Sequence, residues 1–255
     1  MKTKIQPLVP VSREGLEEAA KALLEGKFLN EQIPLQGIST KGDSWEIKGV
    51  NYRNGIHTFD LLKAKLDNGS SKKQDQWAEY AEQAQKNGEF YTPDYPSFYA
   101  ILKTLAHSVS TPEIEEARNF LRETSKNNYL ITLTRIAYQP KGEDIIIHNY
   151  GTKNRDEERV KFVGPDELIA NTSNLLAYQK LLGTKDSVQD IDKVFNWLDG
   201  TPARIWRVNS RPKTIDERVA WFNAYSGWAL LFCDWVLDFA FGSLGVRLRR
   251  EAAAP

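Results

Sequence analysis

The first half of the chain repeats apolar residues at helical spacing. Apolar positions three and four apart between Ser12 and Leu24 predict a first helix. Thr58 is a helix-capping residue type, and Phe59 to Leu66 after it predict a second helix. Three further helices are predicted from similar patterns, at Gln76 to Gln85, Ser97 to Val109 and Thr111 to Leu121.

The pattern then changes to one typical of strands. Tyr129 to Tyr138 is rich in β-branched and aromatic residues, Pro140 to Glu143 supplies a turn, and Asp144 to His148 is extended again. A hairpin is the expected structure. Shorter strands and two helices are predicted elsewhere: strands at Trp45 to Tyr52, Arg159 to Val163 and Ala203 to Val208, and helices near Pro165 to Leu182 and Val188 to Leu198.

The last third carries the most unusual pattern. Thr214 to Glu217 reads as a capping box, which predicts that a long helix follows. Six aromatic residues are then spaced four, three, four, three and four apart, which places them on one side of a helix: Trp221, Tyr225, Trp228, Phe232, Trp235 and Phe239. Because most of the other positions are apolar too, we expect this helix to be nearly surrounded by other atoms.

Three surroundings could cover such a helix. It could lie in the protein's own core, the reading we favour, or form the interface to a protein partner or a second copy of the chain. Membrane insertion is the third. Asp234 and Asp238 oppose it, because each costs about 3 kcal/mol near the centre of a membrane helix. We therefore expect no membrane contact.

These elements predict an α+β fold that is mostly helical, with a small, largely antiparallel sheet and a long, buried, aromatic-rich C-terminal helix. A length of 255 residues fits a single domain over residues 1–255. An N-terminal subdomain of residues 1–69, joined by a polar hinge near residues 67–75, stays open as an alternative.

Composition narrows the function classes. The chain has 34 basic and 34 acidic residues, so no overall field attracts it to nucleic acid or anionic lipid. Cys233 is the single cysteine, which excludes an intrachain disulfide. The N-terminus lacks the apolar segment of an export signal, so we expect a soluble, cytoplasmic protein.

No motif identifies a cofactor or a metal. Gly37 to Ser44 has the glycine spacing of a phosphate-binding loop, but Asp43 stands where a lysine must meet the phosphates. Asp234 and Asp238 would be one helical turn apart, yet no histidine or glutamate beside them completes a ligand set. Cys233 lies among large apolar residues, which disfavours a nucleophilic role. We therefore predict no cofactor and no metal.

His148 is the strongest candidate for acid–base chemistry. It ends an apolar strand and leads into a polar loop, where functional groups are often mounted. His148 and Tyr150 are therefore the candidate catalytic residues, with a structural histidine as the alternative. The candidate binding residues are the basic side chains of this loop and of the segment before the last predicted helix: Arg155, Arg159, Arg204, Arg207, Arg211 and Lys213.

Two functions from different classes remain. The favoured hypothesis is a non-catalytic binding or assembly protein, because no complete catalytic set is visible and the aromatic stripe suits an interface. The alternative is an enzyme that acts on a phosphate-bearing or nucleic-acid substrate through His148 and the arginines. That alternative requires these residues to meet in one cleft. Nucleic acid is the less favoured partner, since the net charge is zero.

Overall fold

The computed structural model describes residues 37–225 and 228–249. For Tyr225 and Trp228 it describes the backbone only. All of the described residues belong to one compact unit. The predicted helix from Ser12 to Leu24 lies outside the described residues. Among the described helices, none is long and apolar enough to cross a membrane.

The described residues form eleven strands and five α-helices. The strands are β1 (Gly37–Lys41), β2 (Ser44–Tyr52), β3 (Gly55–Lys65), β4 (Leu130–Tyr138), β5 (Asp144–His148), β6 (Asp156–Val160), β7 (Glu167–Leu168), β8 (Ala203–Trp206), β9 (Asp216–Tyr225), β10 (Trp228–Trp235) and β11 (Leu244–Leu248). The helices are α1 (Gln74–Asn87), α2 (Tyr95–His107), α3 (Pro112–Asn127), α4 (Leu175–Leu182) and α5 (Val188–Asp199).

Two sheets organise these elements. A four-stranded sheet has the order β1-β2-β3-β11, and a seven-stranded sheet has the order β6-β5-β4-β9-β10-β8-β7. Every pairing is antiparallel except that of β8 with β10. Helix α2 packs against strands of both sheets, β2 and β4. The described part of the chain is therefore an α+β fold with slightly more strand than helix.

Local signals predicted several elements well. Helix α3 begins after Thr111, whose hydroxyl accepts a hydrogen bond from the amide of Ile114 at 3.3 Å. The predicted helices at Gln76 to Gln85 and Ser97 to Val109 are confirmed as α1 and α2, and Val188 to Leu198 as α5. The hairpin of β4 and β5 is confirmed, as are the strands β2 and β8.

The prediction of a mostly helical chain with a small sheet and a long C-terminal helix is wrong. Residues 216–225 and 228–235 form the antiparallel strands β9 and β10, in which Trp221 pairs with Phe232 and Tyr225 with Trp228. Both strands lie in the middle of the seven-stranded sheet. Pairing with β4 on one side and β8 on the other supplies backbone hydrogen bonds that a helix would have made within itself.

Two smaller predictions are also wrong. Phe59 to Leu66 is not a helix but most of β3, which pairs with β2 and β11. Phe59 and Leu61 alternate with Asp60 along this strand, and the strand joins β2 through a tight turn at Arg53 and Asn54. In the stretch Pro165 to Leu182, only α4 is α-helical. Its start is set by Asn174, whose side chain accepts from the amide of Ala177.

Candidate functional site

His148 lies in a cleft of about 730 Å³, which we call the His148 cleft. The cleft is formed by the β2–β3 turn, the start of α2, the end of β5, strand β6 and the segment from α4 to Asp186. Its volume is in the range of small-molecule sites. Charged side chains of both signs line it: Arg53, Lys103, Lys180 and Lys185 are basic, and Asp156, Glu158 and Asp186 are acidic.

His148 itself is buried, and hydrogen bonds hold both of its ring nitrogens. Nδ1 lies 3.1 Å from the hydroxyl of Thr134, and Nε2 lies 3.0 Å from the carbonyl oxygen of Lys180. Burial is the largest influence on the ring and lowers the pKa of His148, although the carboxylate of Asp94 opposes this. His148 is therefore a neutral side chain that ties β4 to α4.

A buried carboxylate lies next to this histidine. Asp94 caps α2, and its Oδ1 accepts from the amide and hydroxyl of Ser97 at 2.9 and 2.5 Å. Its Oδ2 accepts from Asn149 at 2.8 Å and from the Tyr52 hydroxyl at 3.3 Å. Burial, followed by the charge of Asp94, raises the pKa of Tyr52. The Tyr52 hydroxyl in turn accepts a hydrogen bond from Arg53 at 3.0 Å.

Ion pairs fix two other walls of the cleft. Asp186 accepts from Lys103 at 2.6 Å and from the Tyr99 hydroxyl at 2.9 Å. Burial works against ionisation of Asp186, but these hydrogen bonds outweigh it and lower the pKa of the carboxyl. Lys180 donates to Glu158 at 2.6 Å. Four charged groups of the cleft, Lys103, Asp186, Lys180 and Glu158, are thus held in place by partners inside the protein.

The other loop residues predicted from the sequence do not line this cleft. Tyr150 stacks on the guanidinium of Arg135, 3.4 Å from the ring centre. Burial raises the pKa of the Tyr150 hydroxyl. Arg155 is exposed and forms an ion pair with Glu157. Arg159 is exposed on β6. His148 and Tyr150, the two candidate catalytic residues, therefore have separate surroundings.

The second predicted basic group is also divided among different partners. Arg207 is buried and pairs with Glu167 at 2.9 Å, and its guanidinium also donates to the carbonyl oxygens of Phe162 and Pro165. Arg211 pairs with the buried Asp144 at 2.5 Å. Arg204 lies over the ring of Trp206, and Lys213 is exposed. Arg207 and Arg211 thus neutralise acids within the fold.

A second candidate site lies on the seven-stranded sheet. Phe222 faces the helices and contacts Phe98 of α2 and Phe195 of α5. The opposite face carries Trp221, which stacks on Phe232 with 3.9 Å between ring centres. Further rings continue this cluster, which we call the aromatic surface: Tyr129, Trp206, Trp221, Phe232, Trp235, Phe239 and Phe241.

The aromatic surface is buried at its centre and open at its rim. Trp221 is 1% exposed, whereas Tyr129 and Phe239 are 45% and 46% exposed. The indole nitrogens of Trp206, Trp221 and Trp235 have no hydrogen-bond acceptor within the described ranges. The predicted carboxylate pair separates here: Asp238 is exposed and pairs with Lys73, whereas burial raises the pKa of Asp234.

Sequence reasoning missed Arg53 and Asp186, which line the His148 cleft, and the buried Asp94, which lies 3.9 Å from Arg53. One signal was available. Tyr52-Arg53-Asn54-Gly55 is a short turn sequence between two alternating apolar stretches, which is typical of a hairpin. The cap at Asp94, followed by Pro96 in the first turn of α2, was a second local signal. Neither shows that the two segments meet.

Comparisons with known proteins add little to this picture. No protein-family model matches the chain, and no curated protein matches it. A solved structure described as "Accommodation of massive sequence variation in Nanoarchaeota by the C-type lectin fold" is similar, with 10% identity and a TM-score of 0.42. The similarity covers 72% of this chain and 100% of that one. At this level it assigns neither a fold family nor a function.

Proposed function

We propose that this protein acts by binding another protein through the aromatic surface. The observation that supports this is a continuous group of seven rings on one sheet face, with an exposed rim formed by Tyr129, Phe239 and the neighbouring Val236. Exposed apolar patches of this kind mark interaction sites. Tryptophan, tyrosine and phenylalanine are also enriched in protein interfaces, where they contribute much of the affinity.

The order of the rings suits a preformed binding surface. Trp206, Phe232 and Trp221 lie directly across from one another on three adjacent strands, β8, β10 and β9. Stacking between Trp221 and Phe232 limits the freedom of both side chains before a partner arrives. Association then costs less side-chain entropy than it would on a flexible surface. The expected partner presents an apolar face of its own to these rings.

The enzyme hypothesis has less support. It requires His148, Tyr150 and the arginines to share a cleft, whereas His148 alone of this group lines the His148 cleft. Both ring nitrogens of His148 are engaged by Thr134 and Lys180, so a substrate would have to displace one of them. A cytoplasmic location, binding of nucleic acid and assembly with a second copy stay predictions from the sequence.

The first test removes one rim ring without touching the core. We expect Phe239→Ser to lower the thermal midpoint only slightly, because this side chain is 46% exposed and its ring contacts are with Trp235 and Phe241. Val109→Ser is the matched control, since Val109 is 86% exposed and lies beyond the end of α2. Each immobilised variant is incubated with native extract, and the partner that is retained is then purified and titrated.

Support for the proposal is a partner that binds the wild type and Val109→Ser equally. Its affinity for Phe239→Ser should fall by about tenfold or more, since interface aromatics often contribute over 1 kcal/mol. Sedimentation of the pure protein tests whether the partner is a second copy: a Phe239-dependent dimer would identify it. Equal binding by all three proteins, or a strict monomer that retains no partner, would contradict the proposal.

A further inference from the structure

The β2–β3 turn contains a residue in a conformation that its side chain disfavours. Arg53 has a φ of 54°, in the left-handed region that glycine and asparagine adopt readily and other residues rarely do. Tyr52 pairs with Gly55, so Arg53 and Asn54 form the whole connection. Glycine at this position would be free of strain. Backbone strain of this kind concentrates at functional sites, which makes the side chain of Arg53 the feature to explain.

Contacts on one side hold the Arg53 guanidinium. Nε donates to the Tyr52 hydroxyl at 3.0 Å, and Nη2 donates to the carbonyl oxygen of Asn154 at 3.4 Å. Nη2 also lies 3.9 Å from the buried carboxylate of Asp94. Nη1 has no hydrogen-bond partner among residues 37–225 and 228–249. The side chain is 34% exposed and lines the His148 cleft.

The charges of the cleft leave room for an anion beside this arginine. Four basic and three acidic side chains line the cleft, and His148 is neutral. Asp186 is occupied by Lys103 and Tyr99, and Glu158 by Lys180. Asp156 remains near Arg53, and Lys185 is exposed at the cleft. A ligand therefore meets one fixed guanidinium and one exposed ammonium group, together with the carboxylate of Asp156.

We propose that the His148 cleft binds a small molecule that carries a carboxylate or phosphate group, with Arg53 as the residue that holds this group. Guanidinium groups recognise such oxyanions with two parallel hydrogen bonds, and a guanidinium already fixed by the protein loses little entropy in doing so. The cleft is much larger than one oxyanion, so the rest of the ligand would meet its polar walls, including Asn51, Gln179 and Thr184. This site is separate from the aromatic surface.

The test separates binding from folding because of the strain at Arg53. In isothermal titration calorimetry at low salt, we expect the wild type to bind pyrophosphate, citrate or both, and the pattern identifies a phosphate or a carboxylate ligand. Arg53→Gly removes the guanidinium and relieves the left-handed strain. Its affinity should therefore fall at least tenfold while its thermal midpoint changes little, because the relief of strain offsets the loss of the hydrogen bonds to Tyr52 and Asn154.

Two further variants complete the experiment. Arg159→Gln removes an exposed arginine of β6 that does not line the cleft, and it should bind as the wild type does. Lys185→Gln should bind severalfold more weakly with an unchanged midpoint, so it tests the site even if Arg53→Gly is unstable. The proposal is overturned if the wild type binds neither pyrophosphate nor citrate. It is also overturned if Arg53→Gly and Lys185→Gln both bind the probe as tightly as the wild type does.

Discussion

The hydrogen bonds around His148 determine which of its nitrogens carries the proton. The hydroxyl oxygen of Thr134 accepts from the amide of Tyr95 at 2.9 Å, so its own hydrogen is available for Nδ1 of His148. Nε2 then carries the proton and donates to the carbonyl of Lys180. This assignment comes from the network of donors and acceptors. A second proton on the ring would bind to Nδ1 and remove the acceptor of the Thr134 hydroxyl.

The pH dependence of stability should report this histidine. In the unfolded chain His148 takes up a proton near its ordinary pKa of 6.5, whereas burial lowers the pKa in the folded protein. The stabilising contribution is therefore present above about pH 6.5 and is lost as the pH falls toward the folded pKa. We expect the free energy of unfolding, measured in urea, to decrease between about pH 7.5 and about pH 5.5.

The variant His148→Gln should flatten this dependence. It should also cost about 1–3 kcal/mol at the higher pH, because a buried partner of Thr134 and Lys180 is lost. His107→Gln provides the control, since His107 is exposed at the end of α2, and its slope should equal that of the wild type. An unchanged slope in His148→Gln would show that the fold tolerates the charged ring.

At the scale of elements, the C-terminal hairpin shows why helix and strand were confused. Residue pairs in β9 and β10 are symmetric about the two residues between them, so Trp221 faces Phe232 and Tyr225 faces Trp228. Trp221 and Tyr225 are four apart in β9, as are Trp228 and Phe232 in β10, and this spacing keeps a pair on one face of a strand and also on one side of a helix. The steps of three fall at the connection between the strands and at the irregularity between Phe232 and Trp235, so the whole pattern imitates a helical repeat.

Ser226-Gly227 at the centre of this symmetry was the signal that distinguishes the two structures. Ser-Gly is a turn sequence, and glycine inside a helix costs about 1 kcal/mol relative to alanine. The helices α1, α2 and α3 were predictable because their spacing and caps are local. Strand β3 was missed although the turn at Arg53 and Asn54 indicates a hairpin with β2, and its second partner β11 lies near the other end of the chain.

The same distinction explains how little of the candidate site was predictable. His148 could be identified because it is one of three histidines and ends a strand. Arg53 and Asp186 come from distant segments, and only the packing of α2 and α4 brings them to one cleft. Arg207 and Arg211 look available in the sequence, but Glu167 and Asp144 reach them from other strands.

The junction between α4 and α2 offers a prediction about how elements pack. Gly183 ends α4 with a φ of 61°, and a Cβ placed there would lie 2.7 Å from Cβ of Pro96 at the start of α2. Gly200 ends α5 with a φ of 73°, but a Cβ there would meet nothing within 4 Å. Both glycines are in the left-handed region, so the two sites differ only in the space available.

Alanine substitutions should therefore separate strain from overpacking. Gly200→Ala should cost about 1 kcal/mol in the free energy of unfolding, from the left-handed conformation alone. Gly183→Ala should cost about 1–3 kcal/mol more than Gly200→Ala, because α4 must move away from Pro96. Urea titrations of the two variants make the comparison. Equal losses of unfolding free energy in the two variants would mean that α4 can shift without cost, and that this wall of the His148 cleft is not rigidly packed.

At the scale of the described unit, the two sheets share one hydrophobic core. The buried residues of both belong to a single cluster, which includes Ile47 of β2 and Phe222 of β9. The chain between the sheets adds hydrogen bonds: the amide of Ile131 donates to Gly242 at 3.0 Å, and the hydroxyl of Ser243 donates to Ile131 at 3.2 Å. Tyr91 and Val246 exchange two more bonds beside β11.

A unit built in this way should unfold as one. Ile47 is fully buried in the four-stranded sheet, so Ile47→Ala should lower the free energy of unfolding by about 2–5 kcal/mol. Hydrogen exchange then reports where that loss is felt. If the sheets are one cooperative unit, the slowest amides of β9 should lose as much protection as those of β2, although β9 belongs to the other sheet. Protection lost in β2 alone would show that the four-stranded sheet opens independently, and that the β2–β3 turn carrying Arg53 can move while the seven-stranded sheet stays folded.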